Sequence, residues 1–316
     1  MMKRKLVITG SQGFIATNLI LKLAESKNFE LHGIDSGIAK SINKKFSKDF
    51  IQHHNFDLLD IEKTCEVIDN ADVIVHLAAK GNVVESIDNP IENLNANVIS
   101  TVNLLEAMRR TKVKNIVFSS TGGALMGNTK PPVNEYSLPS PISPYGASKL
   151  ACEGYLSAFS NSFQINSIAL RFGNVYGKYS SHKIGVINKW IRAALNKQSI
   201  DIFGDGTSTR DYIHVDDLCN GLIASIERLL KIENINFEKY HLANNREIPL
   251  LEICQIIEKF TDQKLKKEFK DFRIGEVVRN CSDYSLAKEF LYFEPTKEFY
   301  EGICELYGWI KETEFE

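Results

Sequence analysis

Tyr145 and Lys149 stand four positions apart in the run Tyr-Gly-Ala-Ser-Lys. In a helix, positions i and i+4 share one face, so the phenol and the ammonium would point the same way. A free phenol titrates at about pH 10, too high for a base in neutral water. An ammonium one turn away, with a positively charged ring close by, would favour the phenolate. Such a phenolate could take the proton from a hydroxyl while hydride leaves the carbon that bears it. The bland alternative is a surface helix with an exposed tyrosine and lysine, because chance pairs at this spacing are common.

Upstream lies Ser119-Ser120-Thr121-Gly122-Gly123. It follows an apolar strand-like run, which puts it at the carboxyl edge of a sheet, where ligands bind in open α/β folds. A hydroxyl from this segment could hydrogen-bond the reacting oxygen. Thr121 is the expected one and Ser120 the second choice. The alternative here is a Ser/Gly turn without a role.

A hydride needs an acceptor, and Thr9-Gly10-Ser11-Gln12-Gly13-Phe14-Ile15-Ala16 offers a place for one. Gly10 and Gly13 permit a tight turn and a close backbone approach. A pyrophosphate could then rest on the next helix N-terminus, where free N–H groups and the dipole favour anions. Taken alone, the run could be a simple strand-to-helix turn. However, it opens the first βα unit, and Asp35 ends the next strand. A carboxylate there accepts both adenosine ribose hydroxyls and repels a 2′-phosphate. No arginine follows Asp35 directly, so NAD rather than NADP is the expected cofactor. Lys149 could also hold the nicotinamide ribose. Ala16 stands where a third glycine is usual and is small enough for the helix to pack close to the strand.

These residues need a frame. Residues 5–9, 31–35, 73–77, 115–119 and 167–172 read as buried strands, and 18–24, 97–108 and 145–159 as helices. Near-continuous apolar strands alternating with helices predict parallel pairing through right-handed crossovers. The expected fold is α/β, a Rossmann-type doubly wound parallel sheet with a smaller C-terminal α/β substrate-binding lobe. Residues 1–175 would form the dinucleotide-binding domain. Residues 176–316 would be mainly the second lobe, with the chain free to cross between the two. Residues 129–144, rich in proline and serine, read as a loop over the sheet's carboxyl edge.

Composition narrows the partners. Of 316 residues, 38 are basic and 40 acidic, so no basic excess points to nucleic acid. Short clusters such as Lys44-Lys45 read as solvated surface. The six cysteines show no Cys-x-x-Cys or Cys/His metal spacing and read as reduced thiols; no metal is expected. The basic N-terminus is followed by too short an apolar run for a signal peptide, and no stretch approaches the ~20 apolar residues that span a bilayer. A cytoplasmic protein without membrane association is expected.

Further runs occur in order: Asp57-Leu58, His76-Leu77-Ala78-Ala79, Arg171-Phe172-Gly173-Asn174-Val175-Tyr176-Gly177, Phe203-Gly204-Asp205-Gly206 and Arg210-Asp211-Tyr212-Ile213-His214-Val215-Asp216-Asp217. With the glycine run, the Ser-Ser-Thr run and the Tyr/Lys pair, they resemble the extended short-chain dehydrogenase/reductases, in particular UDP-glucose 4-epimerase-like nucleotide-sugar enzymes. The resemblance runs from about residue 5 to about residue 305. It implies an NAD groove built from Gly10, Gly13, Phe14, Ile15 and Asp35. Asp57 and Leu58 would flank the adenine. Leu77, Ala78, Ala79, Asn97 and Ser119 would line the groove beside Tyr145 and Lys149.

The substrate implied is a nucleotide-diphosphate sugar, UDP by resemblance only. Asn174 would contact its phosphates. Arg210 and Arg273 would bind the diphosphate, since a guanidinium donates two parallel hydrogen bonds. Glu276 would take the nucleotide ribose hydroxyls. The alternatives are an ion pair of Arg210 with Asp211 or Asp216, and a surface pair of Arg273 with Glu276. The family also implies a homodimer through helices near 95–110 and 145–160, with Leu150, Tyr155, Leu156 and Phe159 as an apolar stripe. Packing within one subunit is the other use for that stripe.

The reaction is read from the neighbours of Thr121. Dehydratases of this type carry acids directly after the threonine region, whereas Gly122, Gly123 and Ala124 cannot transfer a proton. The Ser-Ser-Thr-Gly-Gly-Ala run instead resembles 4-epimerases, which implies C4 epimerisation through a 4-keto intermediate with Thr121, Tyr145 and Lys149 catalytic. Leu125-Met126-Gly127 lacks the tyrosine usual before that glycine, and a 4-dehydrogenase or 4-ketoreductase would use the same triad. A non-catalytic NAD-binding regulator is a third reading, and such proteins commonly lack the Tyr or the Lys.

Overall fold

The structure is a computed structural model and describes residues 3–37, 50–181, 185–232, 235–273, 275 and 277–315. The first half runs β1 (Arg4–Thr9), α1 (Phe14–Ser26), β2 (Phe29–Asp35), β3 (Gln52–Asn55), α2 (Ile61–Ile68), β4 (Val73–His76), α3 (Val83–Asp88) and α4 (Pro90–Leu94). One π-helical turn, Asn95–Ile99, joins α4 to α5 (Ser100–Thr111). Then come β5 (Asn115–Thr121), α6 (Gly123–Met126), α7 (Pro144–Phe163), β6 (Asn166–Phe172) and β7 (Asn174–Tyr176). The second half holds α8 (Val186–Leu195), β8 (Ile200–Phe203), β9 (Thr209–Arg210), β10 (Tyr212–His214), α9 (Val215–Lys231), β11 (Phe237–Leu242), β12 (Ile248–Pro249), α10 (Leu250–Thr261), β13 (Lys267–Lys270), α11 (Ser285–Leu291) and α12 (Phe299–Glu314).

Seven strands pair in the order β11-β6-β5-β4-β1-β2-β3, all parallel. The order reverses between β1 and β4, and the crevice at such a switch point is where this architecture binds ligands. Both faces of the sheet are covered, which is why the strands are apolar at consecutive positions. Leu6, Ile8, Val75, Val117 and Leu170 face a layer containing Leu19 of α1 and Leu222 of α9. Val7, Ile74, Ile116, Phe118 and Ala169 face Ile68, Leu104, Leu105 and Leu156 of α2, α5 and α7. No helix among the described residues is long and apolar enough to cross a membrane.

Residues 215–231 and 237–242, though beyond residue 175, belong to the sheet: α9 covers one face and β11 pairs with β6 as an edge strand. A second core lies around Trp190, Ile202, Tyr212, Ile253, Phe299 and Leu306. It draws α8, β8, β10, α10 and α12 together.

Candidate active site

The cofactor groove starts where β1 stops. Gly10 has φ +67°, and a Cβ there would stand 2.7 Å from the Ala78 nitrogen, so the turn needs glycine twice over. Gly10 N donates to Ile34 O at 2.8 Å and Gly13 N to Gly10 O at 2.9 Å, which closes the turn. Gly13 then caps α1 without a side-chain acceptor, and no acidic residue sits in the first turn. The N–H groups over Phe14 and Ile15 therefore begin a helix end suited to an anion. Phe14 itself is buried in the core, which fixes the helix against the sheet.

Asp35 ends β2. Its Oδ2 accepts from Gln12 N at 3.0 Å and its Oδ1 from Gly37 N at 2.8 Å. Two backbone donors thus hold the carboxylate at the mouth of the glycine turn, and each oxygen keeps a lone pair for a ribose hydroxyl. Leu58 is buried, while Asp57 is exposed and accepts from Leu59 N at 2.9 Å. Leu77 and Ala78 follow β4 and are tied to Thr9, through its carbonyl at 3.2 Å and its hydroxyl at 3.3 Å. The exposed Ala79 comes next. These features fit a dinucleotide. Asp35→Ala is expected to lower NAD affinity about 10- to 100-fold, the worth of charge-assisted hydrogen bonds, and to narrow the preference over NADP. Calorimetric titration with both cofactors checks it, and unchanged NAD affinity would remove Asp35 from the site.

Helix α7 carries the reactive pair. Ser143 caps it by accepting from Gly146 N at 3.2 Å, and Pro144 fills the first turn. Lys149 is 2% exposed; its Nζ donates to Ser119 O at 2.7 Å and stands 4.6 Å over the Phe118 ring. Burial lowers its pKa to about 8, with Cys152 and Glu153 acting the other way. Tyr145 is half-buried, and burial pushes its phenol up to about 12, while its contact with Thr121 draws it down. The sequence predicts a lowered phenol; among the protein's own groups desolvation outweighs the Thr121 hydrogen bond. Thr121 is the last residue of β5 and meets Tyr145 directly. Ser120, the second choice, points elsewhere: its hydroxyl donates to Glu153 Oε1 at 2.6 Å.

Lys149 makes a stability prediction. Its ammonium titrates near 8 here and near 10.5 in a free chain. Between those values the unfolded chain binds more protons, so stability rises with pH by about 1 kcal/mol per unit. The contribution is least favourable below pH 8, where both states are charged. The unfolding free energy of wild type minus that of Lys149→Met should climb between pH 8 and 10; a flat difference would contradict the burial of an ammonium.

Asn97 and Ser119 frame the pair. Asn97, in the π-helical turn, accepts from Lys80 N at 2.8 Å and donates to Ser148 Oγ at 3.0 Å. Single π turns often mark functional positions, and this one aims an amide between the Lys80 loop that follows β4 and α7. Ser119 Oγ donates to His76 O at 3.0 Å. His76 opens one of the runs that carry the resemblance, but the sequence assigns it no role. It is fully buried, with its pKa lowered to about 3 by desolvation, and lies 2.6 Å from Thr9 Oγ1 and 3.0 Å from Thr101 Oγ1. Thr101 donates onward to Asn97 O at 2.6 Å, so its oxygen accepts from His76 Nε2–H and the Nδ1 accepts from Thr9. A neutral histidine thus links the glycine turn to the Asn97 turn. A histidine at the end of an otherwise apolar strand, heading the His76-Leu77-Ala78-Ala79 run, is the signal the sequence offers.

Of the expected substrate residues, Asn174 lies just beyond the same edge. The pairing of Thr121 with Phe172 brings β6 level with β5, and Asn174 follows two residues later with its side chain exposed. Asn174 pairs with Tyr212, which places Arg210 of β9 nearby in the chain. Asp211 is engaged by backbone: it accepts from Asn244 N at 2.8 Å, Ser282 N at 3.0 Å and Asn245 N at 3.1 Å. Burial still raises its pKa to about 6. Arg210 Nη1 donates to Thr209 O at 2.8 Å, and the Arg273 guanidinium lies 3.5 Å over the Phe203 ring. Glu276 lies outside the described residues.

The proposed dimer stripe divides. Leu156 is wholly buried in its own subunit, and Leu150 and Phe159 pack against internal clusters, because α7 turns these residues to the sheet and to α6. Tyr155 is exposed, as are Ile91, Leu94 and Ile99 of the adjoining helical run.

The sequence model of the NAD dependent epimerase/dehydratase family matches residues 6–237. A UDP-glucose 4-epimerase of Mycolicibacterium smegmatis is 30% identical, over 94% of this chain and 96% of its own length. The crystal structure of a UDP-glucose 4-epimerase from Thermotoga maritima with UDP-glucose superposes with a TM-score of 0.90 at 28% identity, over 98% of this chain and 99% of that one. A UDP-glucuronic acid 4-epimerase from Bacillus cereus, in complex with UDP-glucuronic acid and NAD, gives the same TM-score, identity and coverage: 0.90, 28%, 98% and 99%.

Proposed function

This chain belongs to the NAD dependent epimerase/dehydratase family, and we propose that within it the protein inverts C4 of a UDP-hexose through a 4-keto intermediate. It is an enzyme, and its cofactor is NAD. One observation carries the choice of reaction. Thr121 meets Tyr145 and Lys149 meets Ser119 O at the junction of β5 and α7, while Gly122 and Gly123 after Thr121 carry no acid and are crowded by their neighbours. A Cβ on Gly123 would lie 2.7 Å from Asn280 Nδ2, and one on Gly122 would lie 3.1 Å from Ser282 Oγ and 3.3 Å from Phe172 O. Asn280 and Ser282 thus crowd the two positions after Thr121, where this reading would put a dehydratase's proton donor.

The roles follow from position. Tyr145 takes the 4-hydroxyl proton, with Thr121 holding the reacting oxygen. Lys149 keeps its charge beside the phenol and, through Ser119 O, keeps α7 docked on β5. Gly10, Gly13 and Asp35 hold the dinucleotide. Bound there, NAD would supply the hydride acceptor and a cationic ring that lowers the phenol's pKa. Asn174, Arg210 and Arg273 are proposed to hold the diphosphate, and Glu276 the nucleotide ribose hydroxyls. The relatives' names give both UDP-glucose and UDP-glucuronic acid, so the hexose is left to experiment. The exposed Tyr155, Ile91, Leu94 and Ile99 are proposed as the face of a homodimer.

The test is incubation of purified protein, without added cofactor, with UDP-, dTDP-, GDP- and CDP-sugars. Products are identified by NMR while the reduced-nicotinamide band is followed. A C4-inverted UDP-sugar without net reduction is the expected result. Accumulating reduced cofactor with a keto sugar would replace the proposal by a 4-dehydrogenase, and no turnover on any sugar would leave a binding protein.

A further inference from the structure

Thr121 and Lys149 sit on different elements, and one buried carboxylate fastens both. Glu153 lies on α7, one helical turn past Lys149 and two past Tyr145. Its Oε1 accepts from Ser120 Oγ at 2.6 Å, the residue before Thr121 on β5. The same carboxylate receives Arg171 of β6 at two points, Nε to Oε1 at 3.0 Å and Nη2 to Oε2 at 2.7 Å. The two side chains are 1% and 5% exposed. Ser120 and Arg171 are register partners, so α7 is locked to both strands in a single row. A buried ion pair is seldom more stabilising than a well-packed apolar pair, so stability alone is a weak reason for one here.

We propose that Glu153 is a positioning residue for the reaction, setting the register of the Tyr145/Lys149 helix against the strand end bearing Thr121 and supplying the negative charge that keeps Lys149 protonated. This rests on the epimerase reading above. The titratable groups facing Lys149 are Tyr145, Cys152 and Glu153 of α7 and His76 of β4. Burial keeps the Tyr145 phenol and the Cys152 thiol protonated at neutral pH, and keeps His76 uncharged. Among these described groups Glu153 is therefore the one anion, and its charge opposes the desolvation of Lys149.

The test is Glu153→Gln in the enzyme as purified, with Lys149 titrated by lysine-selective NMR and Lys149→Met used for assignment. The Lys149 titration should fall by about half a pH unit or more. The alkaline limb of kcat should move down with it. At neutral pH kcat should drop about tenfold while KM stays within about twofold, the pattern of a displaced catalytic group. A lower Tm with an unmoved Lys149 titration and an unmoved pH profile would reduce Glu153 to a structural residue and overturn the proposal. Should the single variant fail to fold, Glu153→Gln with Arg171→Met leaves no stranded guanidinium. Because it removes a cation with the anion, it is read by register alone, with kcat down about tenfold and KM within about twofold, and an unchanged kcat overturns the proposal. The NMR reading needs no turnover, so it stands apart from any failure of the epimerase assignment, which would show instead as wild-type inactivity on every sugar.

Discussion

Tyr145→Phe should fold, bind NAD and lose roughly 10²- to 10⁴-fold in turnover, the usual worth of a positioned general base. Phenylalanine keeps the ring and its packing on α7 and removes only the hydroxyl that meets Thr121. The loss should fall on kcat, because none of the groups proposed to hold the nucleotide is touched. Steady-state kinetics with the best substrate of the panel, together with the NAD content of the purified variant, checks it. A variant keeping more than about a tenth of the activity would show that another group takes the proton.

Gly10→Ala should be the most damaging single methyl in the groove. At φ +67° an L side chain is strained, and the added carbon would press on backbone, at 2.7 and 2.8 Å from Ala78 N and Cα and 2.9 Å from the Leu77 carbonyl carbon. That backbone cannot yield like a side-chain tip, since Leu77 N is bonded to Thr9 O and Ala78 N to Thr9 Oγ1. Strain and overpacking together predict a loss of roughly 2–5 kcal/mol, read from the urea midpoint. Gly308, exposed within α12 with nothing within 4 Å of its would-be Cβ, is the control. There alanine should be neutral or add up to about 1 kcal/mol. Equal midpoints for the two variants would contradict the packing argument.

Local spacing explains what was readable in the chain. A Gly-x-x-Gly turn, a strand-end aspartate and a Tyr/Lys pair one helical turn apart each declare themselves within a few residues. The sheet was legible for the same reason, because Leu6-Val7-Ile8 and Val73-Ile74-Val75 are apolar on both faces. Strand β11 was not. Its Glu238 is held by Arg228 at 2.7 Å and its Lys239 faces Arg171, so an edge strand with polar partners looks like a surface segment. The roles of Glu153 and His76 were hidden because their partners are remote: Ser120 lies 33 positions from Glu153, and Thr9 lies 67 from His76. The sequence leaves Leu156 between a dimer face and internal packing because a helix with apolar residues on several sides does not declare which one meets the sheet, and it is the sheet side that takes it. The π turn at 95–99 left no mark, since Asn-Ala-Asn-Val-Ile reads as ordinary helix.

The return of α9 and β11 to the sheet bears on how the chain is born. Until residue 242 has left the ribosome, β6 is an unpaired edge, and Leu170, Val117 and Ile8 lack the α9 side of their cover. An exposed strand edge beside bare apolar surface invites pairing with other chains. A fragment ending at residue 175 would meet that hazard permanently. The nascent protein meets it only for the time needed to synthesise the next 67 residues, counted from 175 to 242.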